Sequence, residues 1–116
     1  MKKVLIVDDE LSIRETLARF LERKYEVILA EDGDVAYKAV LEQNPDFIIT
    51  DVNMPNMNGD ELSQKVFEYN PNISILVISG LDTNKNKSYP PSVIEFVEKP
   101  FKVKDIMALM HTKLSA

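Results

Sequence analysis

The sequence predicts an α/β fold in which helices cover both faces of a parallel β-sheet. Short apolar runs, typical of buried strands, alternate along the chain with segments whose apolar residues recur at helical spacing. Such alternation requires crossover connections, and right-handed crossovers bring the carboxyl ends of all strands to one edge of the sheet. The 116 residues suffice for one domain with its own core, and no repeat or linker divides residues 1–116.

The first strand and helix are predicted from residues 4–24. Residues 4–7 form a short apolar run with three β-branched side chains, which indicates a buried strand. Ser12 and Glu15 fit a capping box, in which each side chain satisfies the backbone N–H of the other residue. A helix of about three turns is therefore expected to run to near Lys24. The residues at helical spacing, which predict its buried side, are Ile13, Leu17, Phe20 and Leu21.

Two more strands and a second helix follow. Residues 27–30 are the second strand, and residues 32–34 open the helix after it. Asn44 and Pro45 end this helix, because proline cannot continue the backbone hydrogen bonding. Residues 47–51 are the third strand, which ends in an aspartate. The buried stripe of the second helix is predicted to comprise Ala36, Ala39 and Val40.

The second half continues the alternation as far as the fourth strand. Residues 58–60 begin a third helix, which Asn70 and Pro71 end, and residues 73–78 are the fourth strand. Residues 93–97 form a short fifth strand, and the last helix starts near Val103. The residues predicted to point inward are Leu62, Val66 and Phe67 in the third helix, and Val103, Ile106, Leu109, Met110 and Leu114 in the last.

The segment between the fourth and fifth strands, residues 81–92, interrupts this pattern. It has two large apolar side chains, no helical stripe, and the adjacent prolines Pro90 and Pro91. We expect an irregular, mobile loop with at most one helical turn.

Composition narrows the possible functions. The chain is 45% hydrophobic and 28% charged, as in an ordinary globular protein, and it has no cysteine for disulfides or thiolate metal sites. A net charge of −5 argues against direct nucleic-acid binding, which needs clustered lysine and arginine. Because no apolar run approaches a membrane span and the N-terminus lacks a signal-peptide pattern, a cytoplasmic location is expected.

Polar side chains follow four of the five predicted strands. Asp8 and Asp9, with Glu10 as a further candidate, follow the first strand, and Asp51 ends the third. The fourth strand leads to Ser79 and the fifth to Lys99. In parallel sheets the ligand crevice lies beyond the carboxyl ends of the strands, so these groups are expected to converge there.

Their chemistry suits phosphoryl transfer. Two carboxylates about 4 Å apart repel by several kcal/mol near a protein surface, so a converging set needs a cation, and an all-oxygen set suits Mg²⁺. Lys99 and Ser79 add a mobile positive charge and a hydroxyl donor. Such groups stabilise the charge that develops on a phosphoryl group. Asp51 is the candidate nucleophile, because carboxylates form acyl phosphates.

Four short motifs at these positions occur together over essentially the whole chain. In combination they resemble the receiver domain of bacterial two-component response regulators, although no single motif is specific. The resemblance implies a flavodoxin-like, doubly wound five-stranded parallel sheet in the order 2-1-3-4-5. The motifs are Val7-Asp8-Asp9-Glu10, Asp51 followed by Met54, Pro55 and Gly59, then Ser79, and Lys99-Pro100-Phe101.

The resemblance also implies how the acidic residues act. Asp51 would accept a phosphoryl group from a phosphohistidine on a sensor histidine kinase or a phosphotransfer protein. Mg²⁺ would be bound directly by Asp9 and mainly through water by Asp8. Asp51 and the backbone carbonyl of Asn53 would complete the protein ligands.

The remaining motif residues are implied to bind phosphate and to signal its presence. Lys99 would pair with the phosphate, and Ser79 would donate to it and move on activation. Phe96 occupies the position of the switch aromatic of the family. The Lys99–Pro100 peptide bond matches a position that is cis in the family.

The chain departs from the family pattern between the fourth and fifth strands, where receivers usually have a fourth helix. The helix chemistry of residues 81–92 is poor, so this helix is predicted to be short or missing, which leaves the output surface undefined. The implied partners are a phosphodonor and either a downstream protein or a fused output domain outside this chain. Binding to a membrane is not expected. The domain would catalyse only its own aspartyl phosphorylation and dephosphorylation.

Three other functions agree less well with the sequence. A phosphohydrolase with an aspartate nucleophile would need a second aspartate where Asn53 stands, because asparagine cannot transfer protons. A flavin-binding protein would need a phosphate-holding loop where Asp8, Asp9 and Glu10 repel phosphate. An interaction module that is never phosphorylated is disfavoured because every site residue is present.

Overall fold

The computed structural model describes residues 1–80 and 89–114. Five parallel strands form one sheet in the order β2-β1-β3-β4-β5, which confirms the predicted flavodoxin-like architecture. Four helices are present within these residues. The elements are β1 (Lys3–Val7), α1 (Leu11–Leu21), β2 (Glu26–Ala30), α2 (Gly33–Gln43), β3 (Phe47–Asp51), α3 (Gly59–Tyr69), β4 (Ser74–Ser79), β5 (Val93–Glu98) and α4 (Val103–Leu114).

The sheet separates two apolar core layers. One layer packs α2 and α3 against a sheet face and includes Ala36, Val40 and Leu62, while α1 and α4 cover the other face with Leu17 and Ile106. The central strands β1, β3 and β4 are buried almost throughout, as expected for parallel strands covered on both sides. The strands are therefore held rigidly in register, and their carboxyl ends meet at one edge.

Two predictions for the first helix are wrong. Ser12 and Glu15 do not form a capping box, because the helix begins at Leu11 and its N-cap residue, Glu10, makes no side-chain capping bond. Ser12 thus lies inside the first turn, where its carbonyl accepts from the Thr16 hydroxyl at 2.8 Å. Phe20 is 41% exposed rather than inward. Leu17 and Leu21, one turn apart, define the buried line, and Phe20 is rotated away from it.

The second and third helices begin and end as predicted. The side chain of Asp32 caps α2 by accepting from the Val35 N–H, and Asn58 caps α3 by accepting from the Glu61 N–H, both at 2.9 Å. Asn44 ends α2 in the left-handed conformation. Phe67 is only partly buried, unlike its neighbours Leu62 and Val66 in α3.

The expected irregular loop and the short or missing fourth helix fall on residues 81–92, of which 81–88 lie outside the described residues. Tyr89–Ser92 contain no helix and form a turn into β5, in which the Val93 N–H donates to the Pro90 carbonyl at 3.0 Å. None of the helices among the described residues combines the length and the apolar composition that a membrane span requires.

Candidate functional site at the carboxyl edge of the sheet

The sheet brings the four predicted strand ends together. Asp8 follows β1 and Asp51 ends β3, with Ser79 at the end of β4 and Lys99 directly after β5. The register aligns Asp51 with Ile78 and Ser79 with Glu98, so these ends lie side by side. The backbone N–H of Lys99 donates to the Ser79 carbonyl at 2.7 Å, which fixes the lysine to the end of β4.

Lys99 is the electrostatic centre of this edge. Its Nζ lies 3.2 Å from Asp51 Oδ2, 3.6 Å from Asp8 Oδ2 and 3.9 Å from Glu10 Oε1. Partial burial alone would lower the pKa of Lys99, but the negative charges of Asp51, Asp8 and Glu10 together raise it above its usual value. The ammonium group is therefore retained in the folded chain.

Asp51 is buried and oriented by its neighbours. Its Oδ2 accepts from Lys99 Nζ, and its Oδ1 accepts from the Val52 N–H at 2.8 Å. The Asp51 carbonyl accepts from the Thr50 hydroxyl at 2.9 Å. Gly59 packs so closely that an added Cβ would lie 2.4 Å from the Asp51 carbonyl oxygen. These contacts hold the buried Asp51 carboxylate in one orientation.

Three carboxylates cluster in the loop after β1. One oxygen from each of Asp8, Asp9 and Glu10 lies within 4.8 Å of the others. Asp8 is buried and its Oδ1 accepts from the Glu10 N–H at 2.9 Å. Burial and the nearby charge of Asp51 raise the pKa of Asp8, although the hydrogen bond from Glu10 and the charge of Lys99 oppose the rise. The possible metal ligands in this cluster are all carboxylate oxygens, and their negative charges exceed the positive charge nearby. Such a cluster fits a hard divalent cation.

Arg14 contributes to this loop and was missed by the sequence prediction. Its Nη1 donates to the Asp8 carbonyl at 2.6 Å, from the first turns of α1. The sequence feature that could have indicated this contact is the position of Arg14, one helical turn beyond Glu10. From there a long side chain can reach back over the loop.

The other predicted site residues surround this centre. Ser79 is buried at the end of β4, and Asn53 is exposed two residues beyond β3. Phe96 lies on β5, 37% exposed. The Lys99–Pro100 peptide bond is cis, as the resemblance implies. The proposed ligand and switch roles of these residues stay predictions.

An Asp8→Asn substitution is expected to stabilise the metal-free chain by roughly 0.5–2 kcal/mol at neutral pH. The raised pKa means that ionised Asp8 weakens the fold above its folded-state pKa, and the cost disappears as the pH falls towards 3.8. Asparagine removes this cost and can still accept from the Glu10 N–H. Urea unfolding in chelator, followed by circular dichroism, measures the gain.

The control for this substitution is Asp9→Asn, which removes a neighbouring charge from an exposed position. The charge of Asp9 is the smallest of the causes that shift the pKa of Asp8, so Asp9→Asn is expected to stabilise the chain less than Asp8→Asn does. A stability of Asp8→Asn equal to or below that of the parent at neutral pH would show that burial of the Asp8 charge is fully compensated by Lys99.

The chain is similar to known proteins over nearly its full length. A family model described as the response regulator receiver domain matches residues 4–111. The transcriptional regulatory protein ResD of Bacillus subtilis is 34% identical over 107 residues, which are 90% of this chain and 45% of ResD. The chain spans about half the length of the curated relatives it matches.

Solved structures share the fold. A CheY-like receiver domain protein from Methanospirillum hungatei superposes with a TM-score of 0.92 at 24% identity, over 99% of this chain and 94% of that one. Response regulator TrrA from Thermotoga maritima, solved in complex with Mg²⁺ and BeF, gives a TM-score of 0.88 at 29% identity, over 97% of this chain and 99% of TrrA. By sequence and by fold, the chain belongs to the response regulator receiver domain family of two-component systems.

Proposed function

We propose that this receiver accepts a phosphoryl group on Asp51 and signals its presence to a partner or to an output domain outside this chain. The observation that supports this most strongly is the position of Lys99 Nζ, 3.2 Å from Asp51 Oδ2 and 3.6 Å from Asp8 Oδ2. A lysine held between two buried carboxylates supplies positive charge where the oxygens of an incoming phosphoryl group would lie.

In the proposed transfer, an Asp51 carboxylate oxygen forms a bond to phosphorus. The bond between phosphorus and the donor imidazole nitrogen breaks, and its electron pair stays on that nitrogen. The Val52 N–H and Lys99 Nζ each hold one carboxylate oxygen, so the nucleophile is oriented before the donor arrives. Lys99 can follow the negative charge onto the phosphoryl oxygens, and the Ser79 hydroxyl is proposed to donate to one of them.

We propose Mg²⁺ as the cofactor, held by Asp8, Asp9, Asp51 and the Asn53 carbonyl. When bound, Mg²⁺ supplies positive charge that neutralises phosphoryl oxygens. The clustered carboxylates after β1, which include Glu10, and the raised pKa of Asp8 support a cation at this position. TrrA was solved in complex with Mg²⁺ and BeF.

The proposed phosphodonor is a phosphohistidine on a sensor histidine kinase or a phosphotransfer protein. An open cleft of about 580 Å³ beside Lys99 leaves room for the donor. We propose that the domain promotes its own phosphorylation and dephosphorylation but does not turn over a free substrate. The described residues that line the cleft are Glu10, Ile13, Gly80, Lys99, Pro100 and Phe101.

Incubation with acetyl phosphate and Mg²⁺ is expected to add one phosphoryl group to the chain, and peptide mass spectrometry is expected to locate it at Asp51. Asp51→Asn is expected to abolish the adduct, because the amide is not a nucleophile for phosphorus. Chelation of Mg²⁺ is expected to abolish it as well.

The matched control is Asp34→Asn, the same substitution at an exposed position in α2, which should leave the adduct unchanged. Absence of an adduct with acetyl phosphate and with small phosphoramidate donors would refute the proposed function. An adduct that survives Asp51→Asn would refute the assignment of the phosphoacceptor.

A further inference from the structure

Tyr89, at the end of the β4–β5 connection, joins three parts of the molecule. Its hydroxyl donates to the carboxylate of Asp60 in the first turn of α3. Its ring packs edge-on against Phe96 of β5, with centroids 4.8 Å apart and an interplanar angle of 72°. The ring also packs against the core layer beneath α2 and α3. Tyr89 therefore links the beginning of α3 with the exposed side of β5.

The beginning of α3 is in turn packed against the phosphoacceptor strand. The Gly59 N–H donates to the Val52 carbonyl at 2.9 Å, and a Cβ on Gly59 would lie 2.4 Å from the Asp51 carbonyl oxygen. Close-packed groups transmit displacements rather than absorb them. A backbone shift at Asp51 and Val52 must therefore move Gly59, and Asp60 moves with it because both belong to one helical turn.

We propose that Tyr89 is a positioning residue that couples the chemical state of Asp51 to the orientation of Phe96 through Asp60. This inference rests on the proposed function of Asp51. It names a route between the phosphoacceptor and the surface of β5 that uses a residue outside the family motifs.

The direction of the coupling follows from the contacts of Asp51. The Tyr89–Asp60 bond is made while Asp51 Oδ2 pairs with Lys99 and Oδ1 accepts from Val52. An acyl phosphate uses one of these oxygens and moves the negative charge outward, so the contact of the oxygen that carries the phosphoryl group must change. In this proposal the Tyr89–Asp60 bond belongs to the carboxylate-paired arrangement, so loss of this bond is expected to favour the phosphoryl-bearing one.

The tyrosine hydroxyl is suited to this role. Burial and the hydrogen bond to the Asp60 carboxylate raise the pKa of Tyr89, so the hydroxyl remains a donor at neutral pH. A charge-assisted bond of this kind is stronger than a neutral one, and its geometry is exacting. A small displacement of Asp60 is enough to weaken it.

The test uses Mg²⁺ with beryllofluoride, the pair bound by TrrA, as a phosphoryl analogue whose affinity is measured by calorimetry. Tyr89→Phe keeps the ring but removes the hydroxyl, and it is expected to bind the analogue about 5-fold or more tightly than the parent. Asp60→Asn should shift the affinity in the same direction, and the double variant should add little. Tyr69→Phe, at the exposed end of α3, is the matched control and should bind as the parent does.

A second measurement follows the two rings. Nuclear Overhauser contacts between Tyr89 and Phe96 are expected in the free parent chain and should be lost when the analogue binds. Contacts that persist in the bound chain would overturn the coupling to Phe96.

The outcomes separate this inference from the proposed function. If the parent binds the analogue and Tyr89→Phe binds it equally well or more weakly, the inference is overturned, even if the variant is less stable to urea. Such a result would make the Tyr89–Asp60 bond purely structural. If the parent does not bind the analogue at all, the proposed function fails and the inference fails with it.

Discussion

Lys99→Met is expected to slow phosphoryl acceptance by about 10²–10³-fold, the usual effect of removing one donor that stabilises developing charge. The methionine keeps an apolar stem of similar length but removes the ammonium group that contacts Asp51 and Asp8. Charge on the phosphoryl oxygens then loses its closest protein counter-charge. The rate of adduct formation with acetyl phosphate and Mg²⁺, followed by mass spectrometry, measures the loss.

The same substitution is expected to destabilise the fold by about 2 kcal/mol at neutral pH, because it leaves the carboxylates of Asp8 and Asp51 without a counter-charge. The value lies below that for a fully buried ion pair because the Lys99 side chain is 23% exposed. The raised pKa of Lys99 gives the pH dependence. The charged lysine stabilises the fold fully at pH values below 10.5, the pKa of the side chain in the unfolded chain. This stabilisation is lost as the pH rises through the higher pKa of Lys99 in the folded chain. The parent and the variant should therefore converge at high pH.

Lys102→Met is the matched control, because Lys102 is exposed three residues further along the chain. It should leave both the adduct rate and the urea midpoint near the parent values. If Lys99→Met formed the adduct at the parent rate, Lys99 would not stabilise the transferred charge. If the Lys99→Met variant were more stable than the parent at neutral pH, burial of the lysine would cost more free energy than its ion pairs contribute.

The sequence was sufficient to predict that Asp8, Asp51 and Lys99 meet at the site, because their meeting depends on topology. Asp51 and Lys99 are far apart in sequence, yet both follow strands of one parallel sheet, and right-handed crossovers leave few ways to arrange those strands. Once the strand order is fixed, β3 and β5 lie on either side of β4, about 10 Å apart, and the long side chain of Lys99 can span that distance to Asp51. The 3.2 Å contact between Lys99 and Asp51 follows from this arrangement.

Contacts that depend on loop paths and rotamers could not be predicted in this way. Asn56 Nδ2 donates to Asp32 Oδ2 at 3.1 Å across two loops, and Tyr89 reaches Asp60 from a connection with no regular pattern. No periodicity specifies either pair. The failed capping box has a similar cause, since Ser12 and Glu15 have the right spacing but lie two residues too far into the helix.

Gly33 illustrates the same limit, and its replacement is expected to have the largest effect on stability. The sequence suggested only that Gly33 helps to open α2. In the structure the β3–α3 loop crosses the beginning of that helix, and a Cβ on Gly33 would lie 2.1 Å from the Met57 carbonyl oxygen and 2.5 Å from Met57 Cβ. The nearest group is backbone and cannot rotate away, and Met57 is itself buried. The loop or the helix must therefore move by about an ångström to reach an ordinary contact distance.

Gly33→Ala is accordingly expected to lower the free energy of unfolding by about 3 kcal/mol, the upper end of the usual range for overpacking. Urea unfolding followed by circular dichroism measures this, because the chain has no tryptophan. Gly80→Ala is the control, since a Cβ there meets no described heavy atom within 4 Å. The loop that Gly33 supports begins directly after Asp51, so Gly33→Ala should also slow adduct formation under conditions where the chain is fully folded. An unchanged urea midpoint for Gly33→Ala would mean that the loop lifts from α2 at little cost and does not hold the phosphoacceptor in place.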